Sequence, residues 1–234
     1  MNYRYEATSL TGFVQMLAAN LLPHGYWFYV RGVVPVGKHP AAIDQKLLAK
    51  YGVELSRQQR ARRKQAGQAN LHYLRWEREW ILLATRGEHR FFAEETQNIR
   101  DVRRDPIQIG DYSLRVARGN FLRTADNADT PTADYCHRVR VQIRREKYLD
   151  LCAYFIDVAG RRSAESLSRE LYLLPIEPYA PVRKQLLNLL RLVNEARKQA
   201  GLAKLDPECL RYRREIVKPF DALVAGSPIP RQAA

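Results

Sequence analysis

Apolar positions recur at helical spacing over the first 22 residues, with Leu10, Phe13, Val14, Leu17 and Leu21 on one stripe. Ser9 is placed to cap that helix, and Pro23 and Gly25 end it. Tyr26 to Val30 is aromatic and β-branched between Gly25 and Gly32, which predicts a strand. Pro40 and Gly52 bracket a second helix with Ile43, Leu47, Leu48 and Tyr51 on one face. Ser56 opens a third, short and basic, which Gly67 stops.

From Asn70 the pattern turns to β. Leu71 to Trp76 and Trp80 to Thr85 predict two strands around a Glu77-Arg78-Glu79 turn, and Arg90 to Ala93 continues the β reading. Asp105-Pro106 and Gly110-Asp111 bracket another short strand, which Tyr112 to Ala117 extends. His137 to Arg144 alternates, with Val139, Val141 and Ile143 on one face and Arg138, Arg140, Gln142 and Arg144 on the other.

The remainder is helical. Residues 146–159 are expected to bury Leu149, Cys152, Phe155 and Ile156, and Ser163 starts a helix that ends near Pro175. A long amphipathic helix over 182–200 turns Leu186, Leu187, Leu190 and Val193 inward. It turns Arg183, Lys184, Arg191, Arg197 and Lys198 outward.

These elements predict an α+β protein: a mostly antiparallel sheet over about residues 25–145, N-terminal helices and a helical C-terminal third. The expected organisation is an α+β domain over 1–122 that carries the basic helix at 56–66. A polar loop follows at 123–135, then a strand and helices packing on the sheet over 136–225, and a disordered tail over 226–234. No internal repeat is evident.

Charge changes this picture. The chain has 39 Lys+Arg against 25 Asp+Glu, a net +14 that attracts polyanions. Residues 57–90 hold +6 and 138–234 hold +8, on either side of a mildly acidic middle. The 57–64 segment carries Arg57, Arg60, Arg62, Arg63 and Lys64 with no acid among them, and His72, Tyr73, Arg75, Trp76 and Trp80 follow. Cations serve phosphates and flat rings serve bases. The strand face of Arg138, Arg140 and Arg144, extended by Arg145, is a second cationic surface. A helix-turn-helix across 52–55 would need apolar positions on its second helix, and residues 57–65 offer only Ala61. An exposed helix laid along phosphates is therefore the expectation.

The leading reading is a non-enzymatic nucleic-acid-binding protein. RNA or single-stranded or structured DNA is favoured over sequence-specific duplex reading, with protein partners in a nucleoprotein complex of a ribonucleoprotein or mobile-element system. The expected contacts are Arg57, Arg60, Arg62, Arg63, Lys64, His72, Arg75, Trp76, Arg138, Arg140, Arg144 and Arg145. Two other readings stand beside it. One is a nuclease holding Mg²⁺ with Glu94, Glu95, Asp101, Asp105 and Asp111 near His89, or a metal-free ribonuclease using His72 or His89 as base. The other is an assembly subunit docking through the 182–200 helix.

Several chemistries lack their motifs. No two of the five histidines are two residues apart, so the usual relaxase metal site is missing. There is no Gly-rich phosphate loop, no Cys-x-x-Cys and no Gly-x-Ser-x-Gly. No cofactor is expected outside the Mg²⁺ of the nuclease reading. The three cysteines, Cys136, Cys152 and Cys209, are unpatterned and fit reduced thiols. With no signal peptide or spanning segment, a cytoplasmic protein without membrane partners is expected.

Overall fold

The computed structural model describes residues 3–119, 121–123, 130 and 132–221. It is a mixed α+β structure with two mostly antiparallel sheets and a helical C-terminal region. The chain forms two compact units, residues 1–99 with 217–234, and residues 100–216. Most of the polar segment expected at 123–135 and the whole tail at 226–234 lie outside the described residues.

In the first unit, four strands lie in the order β1 (Glu6–Ala7), β3 (Leu71–Trp76), β4 (Glu79–Ala84), β2 (Phe28–Val33). β1 runs parallel to β3, and the other neighbours are antiparallel. Helix α1 (Leu10–Gln15) is capped by Ser9, whose side chain accepts from the Gly12 N–H. It continues through a π turn, which buries Leu17 and Leu21, before Gly25 reverses the chain. α2 (Pro40–Tyr51) ends where Gly52 takes φ 57°, a conformation that costs glycine little.

The core between α2 and the sheet is built from Val30, Leu48, Tyr51, Val53, Leu71, Tyr73, Leu82 and Phe91. Trp80 lies over Gly32, where a Cβ would sit 2.5 Å from the indole, so only glycine admits that ring. The β reading of 90–93 is corrected: these residues form helix α4 (Arg90–Glu94). The His89 ring accepts from the Phe91 N–H and turns the backbone before a strand can extend.

The second unit begins with the two-residue strand β5 (Arg100–Asp101). Its sheet has the order β10 (His137–Ile143), β7 (Tyr112–Arg118), β6 (Ile107–Ile109), all antiparallel. A separate ribbon pairs β8 (Phe121–Arg123) with β9 (Thr132–Asp134). Ile107, Ile109, Tyr112, Leu114, Val116, Val141 and Ile143 are buried. Helix α7 (Ala180–Gln199) docks against β10, where Gln185 accepts from the Ile143 N–H and donates to its carbonyl. α5 (Arg145–Ala159) packs on α7, and α6 (Ala164–Tyr172) is capped by Ser163.

Three inward assignments are corrected here. Leu149, Ile156 and Leu187 are 54%, 41% and 42% exposed. α5 instead buries Leu151, Cys152, Phe155 and Ala159, and α7 adds Leu189. Both helices carry apolar residues on more than one stripe, and the α5–α7 packing selects between them.

Candidate nucleic-acid interface

Helix α3 (Arg57–Gln65) buries none of its residues, so its order needs another source. At its start, Ser56 and Gln59 form a reciprocal capping box. The Gln59 N–H donates to Ser56 Oγ at 3.2 Å, and the Ser56 N–H donates to Gln59 Oε1 at 2.8 Å. At its end Arg62, Arg63 and Lys64 oppose the negative pole of the helix.

Between them, Arg60 ties the helix to the body. Its guanidinium donates to the carbonyls of Leu55 (3.2 Å), Val53 (2.8 Å) and Leu71 (2.6 Å), and to the Tyr26 hydroxyl (3.2 Å). The Asn70 amide completes the fastening by donating to the Arg60 carbonyl at 2.9 Å. A hydrogen-bonded arginine thus replaces the apolar side chains that α3 lacks. It adds positive potential, but its fork is spent on protein oxygens, which removes Arg60 from the set that reaches a phosphate.

Arg57, Arg62 and Lys64 are exposed and Arg63 is half-buried. None of the four takes part in an ion pair among the described residues. Among the described residues, the helix therefore presents its charge with no carboxylate in an ion pair with these four side chains.

The aromatic half of the expected patch lies elsewhere. β3 sits inside the sheet, and four of its six residues, Leu71, Tyr73, Leu74 and Arg75, are buried. Tyr73 is fully buried and its hydroxyl donates to Asp44 Oδ1 at 2.6 Å. Burial first, then that carboxylate, push its pKa up. Arg75, 5% exposed, donates through Nε to both Asp44 oxygens at 3.0 Å and pairs with Glu6 at 2.9 Å. It is a buried structural cation.

His72 stands edge-on to Tyr3 and Tyr26, at 5.3 and 6.1 Å. Its Nε2 is enclosed and makes no hydrogen bond. Burial, helped by the nearby Arg60 charge, lowers its pKa to about 3, so the ring is neutral. Trp76 and Trp80 keep partial exposure. Of the β3 residues expected at the interface, His72 and Arg75 are committed to the fold.

In the second unit, Arg138 and Arg140 are exposed on the outer face of β10, as the alternation predicts. The register sets Arg140 directly opposite Arg115 of β7. Arg115 escapes a reading of single strands, although the inward Leu114 and Val116 on either side already turn it outward. Arg144 donates to the Gly110 carbonyl at 3.2 Å and lies 3.6 Å from Glu146, so part of its charge is answered locally. Arg145, the first residue of α5, is exposed.

The central carboxylates each have a partner. Glu94 pairs with Lys50 at 3.0 Å, and Glu95 accepts from the Tyr51 hydroxyl at 2.5 Å. Asp101 is bound by Arg103, Asp105 by Arg100 and Asp111 by Lys147. The Tyr51 hydroxyl bond lowers the Glu95 pKa, and desolvation followed by Arg63 and Arg90 lowers that of His89. Among the described residues no group of three or more His, Cys, Asp or Glu side chains is arranged to hold a metal ion. Nor is any helix there long and apolar enough to cross a membrane. Against protein-family models and curated proteins, the sequence finds no match.

Proposed function

We propose that this protein binds nucleic acid through its phosphates, with helix α3 as the contact of the first unit. One observation carries the reading: Arg57, Arg62, Arg63 and Lys64 stand on a capped, anchored helix, and no carboxylate among the described residues is paired to them. Four adjacent positive charges left unpaired repel one another and favour a polyanion. Anchoring through Arg60 holds the helix in place before binding, which lowers the ordering cost that a free basic arm would meet. Recognition here is by charge and backbone, because the Tyr73 ring is buried in the sheet and His72 Nε2 is enclosed.

The test is salt-dependent binding of a fluorescein-labelled oligonucleotide. Changing Arg57, Arg62 and Lys64 together to Gln leaves the Arg60 anchor intact. Removing three phosphate contacts flattens the plot of log affinity against log salt by about 2 to 3 in slope. An unchanged slope and affinity, in a variant with wild-type circular dichroism, would remove α3 from the interface.

A further inference from the structure

The end of α3 is bound to the loop that leads into α4. The Gln68 N–H donates to the Arg63 carbonyl at 2.9 Å, which folds the chain back over the last turn of the helix. The residues that follow pair with 85–88. The Glu88 N–H donates to the Gly67 carbonyl at 3.0 Å, and the Ala69 N–H to the Glu88 carbonyl at 3.1 Å. The Thr85 N–H donates to the Asn70 carbonyl at 2.9 Å, and the Thr85 hydroxyl accepts from the Asn70 N–H at 2.9 Å. Gly87 permits the approach: it takes φ 143°, and a Cβ there would stand 2.5 Å from the Ala69 nitrogen.

This packing sets two arginines about His89. The Arg63 charge, from α3, and the Arg90 charge, from the start of α4, both act on the imidazole and, after burial, hold its pKa below the ordinary value. Glu94 of α4 acts in the opposite sense, and the Tyr51 carbonyl of α2 accepts from the ring. Glu94 is itself paired with Lys50 at 3.0 Å. Arg90 is exposed, and Arg63 is half-buried with its Nε enclosed and unbonded. Among the described residues neither arginine takes part in an ion pair, with the exposed Glu88 of the same loop or with any other acid. Two guanidinium groups held about one neutral ring repel each other until an anion lies with them.

We infer that Arg63 and Arg90 form a clamp for a single phosphate of a nucleic-acid backbone, carrying the α3 contact onto the loop before α4. This clamp rests on the reading of α3 as a phosphate contact and goes beyond it in one respect: two arginines share one group. A phosphodiester has two free oxygens, and a guanidinium fork takes such oxygens in pairs. The backbone bonds between 67–70 and 85–88 fix the two jaws before a ligand arrives, which lowers the ordering cost of binding. RNA and DNA both offer this group, so the clamp does not read the sugar.

The test is anisotropy of fluorescein-labelled oligo(dT) and oligo(U), each about 15 units long, over a range of salt. Arg63→Gln, Arg90→Gln, their double variant and the α3 triple described above are compared with the wild type. Each single change is expected to weaken binding about tenfold on both probes. Sharing makes the losses overlap. The double variant should fall short of the product of the single losses and flatten the log–log salt slope by about 0.7, where two separate phosphates would remove about 1.4. In the wild type, NMR titration of the His89 ring should show its pKa rise when oligonucleotide binds, because the phosphate offsets both arginine charges. The double variant should lose that rise.

Arg90→Gln without effect, in a protein whose binding falls with the α3 triple, overturns the clamp and leaves α3 standing. Single losses that multiply, or a His89 pKa that does not move, overturn the sharing of one phosphate. An effect on one probe alone overturns recognition by phosphate. Loss with the clamp variants but not with the α3 triple upholds the clamp while the rest of α3 drops out. No binding of either probe by the wild type overturns both proposals. Melting curves check folding; Arg90 is exposed, so Arg90→Gln and the His89 titration decide the matter even where Arg63→Gln lowers the melting temperature.

Discussion

Replacing Asp44 by Asn tests the account of the first unit most directly. Asp44 is fully buried and accepts from the Tyr73 hydroxyl and from Arg75 Nε. Asn has the same shape, and the Tyr73 hydroxyl keeps a partner, so the change is essentially one of charge. It leaves the Arg75 guanidinium, 5% exposed, with the Glu77 carbonyl at 2.7 Å and the rim carboxylate of Glu6, itself 61% exposed. Removing one partner of a buried ion pair costs about 3–5 kcal/mol, a large share of the stability of an ordinary domain.

All three tryptophans, Trp27, Trp76 and Trp80, lie in the first unit, so urea unfolding followed by Trp fluorescence reports that unit alone. Adding Arg75→Met to Asp44→Asn removes the stranded charge. The double variant is then expected to recover about 2 kcal/mol relative to the sum of the two single changes. A cost below about 1 kcal/mol for Asp44→Asn, or additive single effects, would refute the claim that this pair acts as a unit.

Acid provides a second test. His72 is neutral when folded, with a pKa near 3, and titrates near 6.5 when unfolded. The unfolded chain therefore binds the extra proton first, and stability is lost as pH falls from 6.5 towards 3, by up to about 1.4 kcal/mol per unit. His72→Phe should remove that share of the slope in unfolding curves taken at pH 7 and pH 4.5, and an identical slope would contradict it. The Tyr3 hydroxyl donates to the Tyr73 carbonyl at 3.0 Å and accepts from its N–H at 2.8 Å, completing the edge of β3 beyond β1. Tyr3→Phe should cost about 2 kcal/mol in the same assay and speed amide exchange at Tyr73. Glu77 holds φ 51° in the β3–β4 turn, so Glu77→Gly should stabilise the unit by about 0.5–1 kcal/mol, read as a higher urea midpoint.

Local features read well from the chain. Ser9, Ser56 and Ser163 cap the helices they precede, Gly52 closes α2, and the Glu77-Arg78 turn joins the two strands expected around it. Each depends on neighbours within a few residues, as does the alternation that turns Arg138 and Arg140 outward. The outward face of β10 was half legible in the same way. Arg140 could be placed on a face, but its position opposite Arg115 required the pairing of strands 25 residues apart.

Arginine was the least legible residue. Arg60, Arg75 and Arg197 all read as surface charge, and all three are drawn into the structure. Arg197, expected on the outer face of α7, donates to the carbonyls of Ala203, Ala159 and Arg162. Their long stems and multiple donors let them satisfy carbonyls at chain reversals, a use that no spacing along one element announces.

By itself, then, the amino-acid order determined most of the longer helices and strands, several of their caps and turns, and the two blocks of positive charge. Those follow from backbone preference and periodicity, which act over a handful of residues. Only the tertiary structure decided which cations and rings remain at the surface, because exposure depends on what distant segments cover. The same packing that fastened Arg60 and Arg75 and enclosed Tyr73 left Arg57, Arg62 and Lys64, and the Arg115–Arg140 pair, facing out.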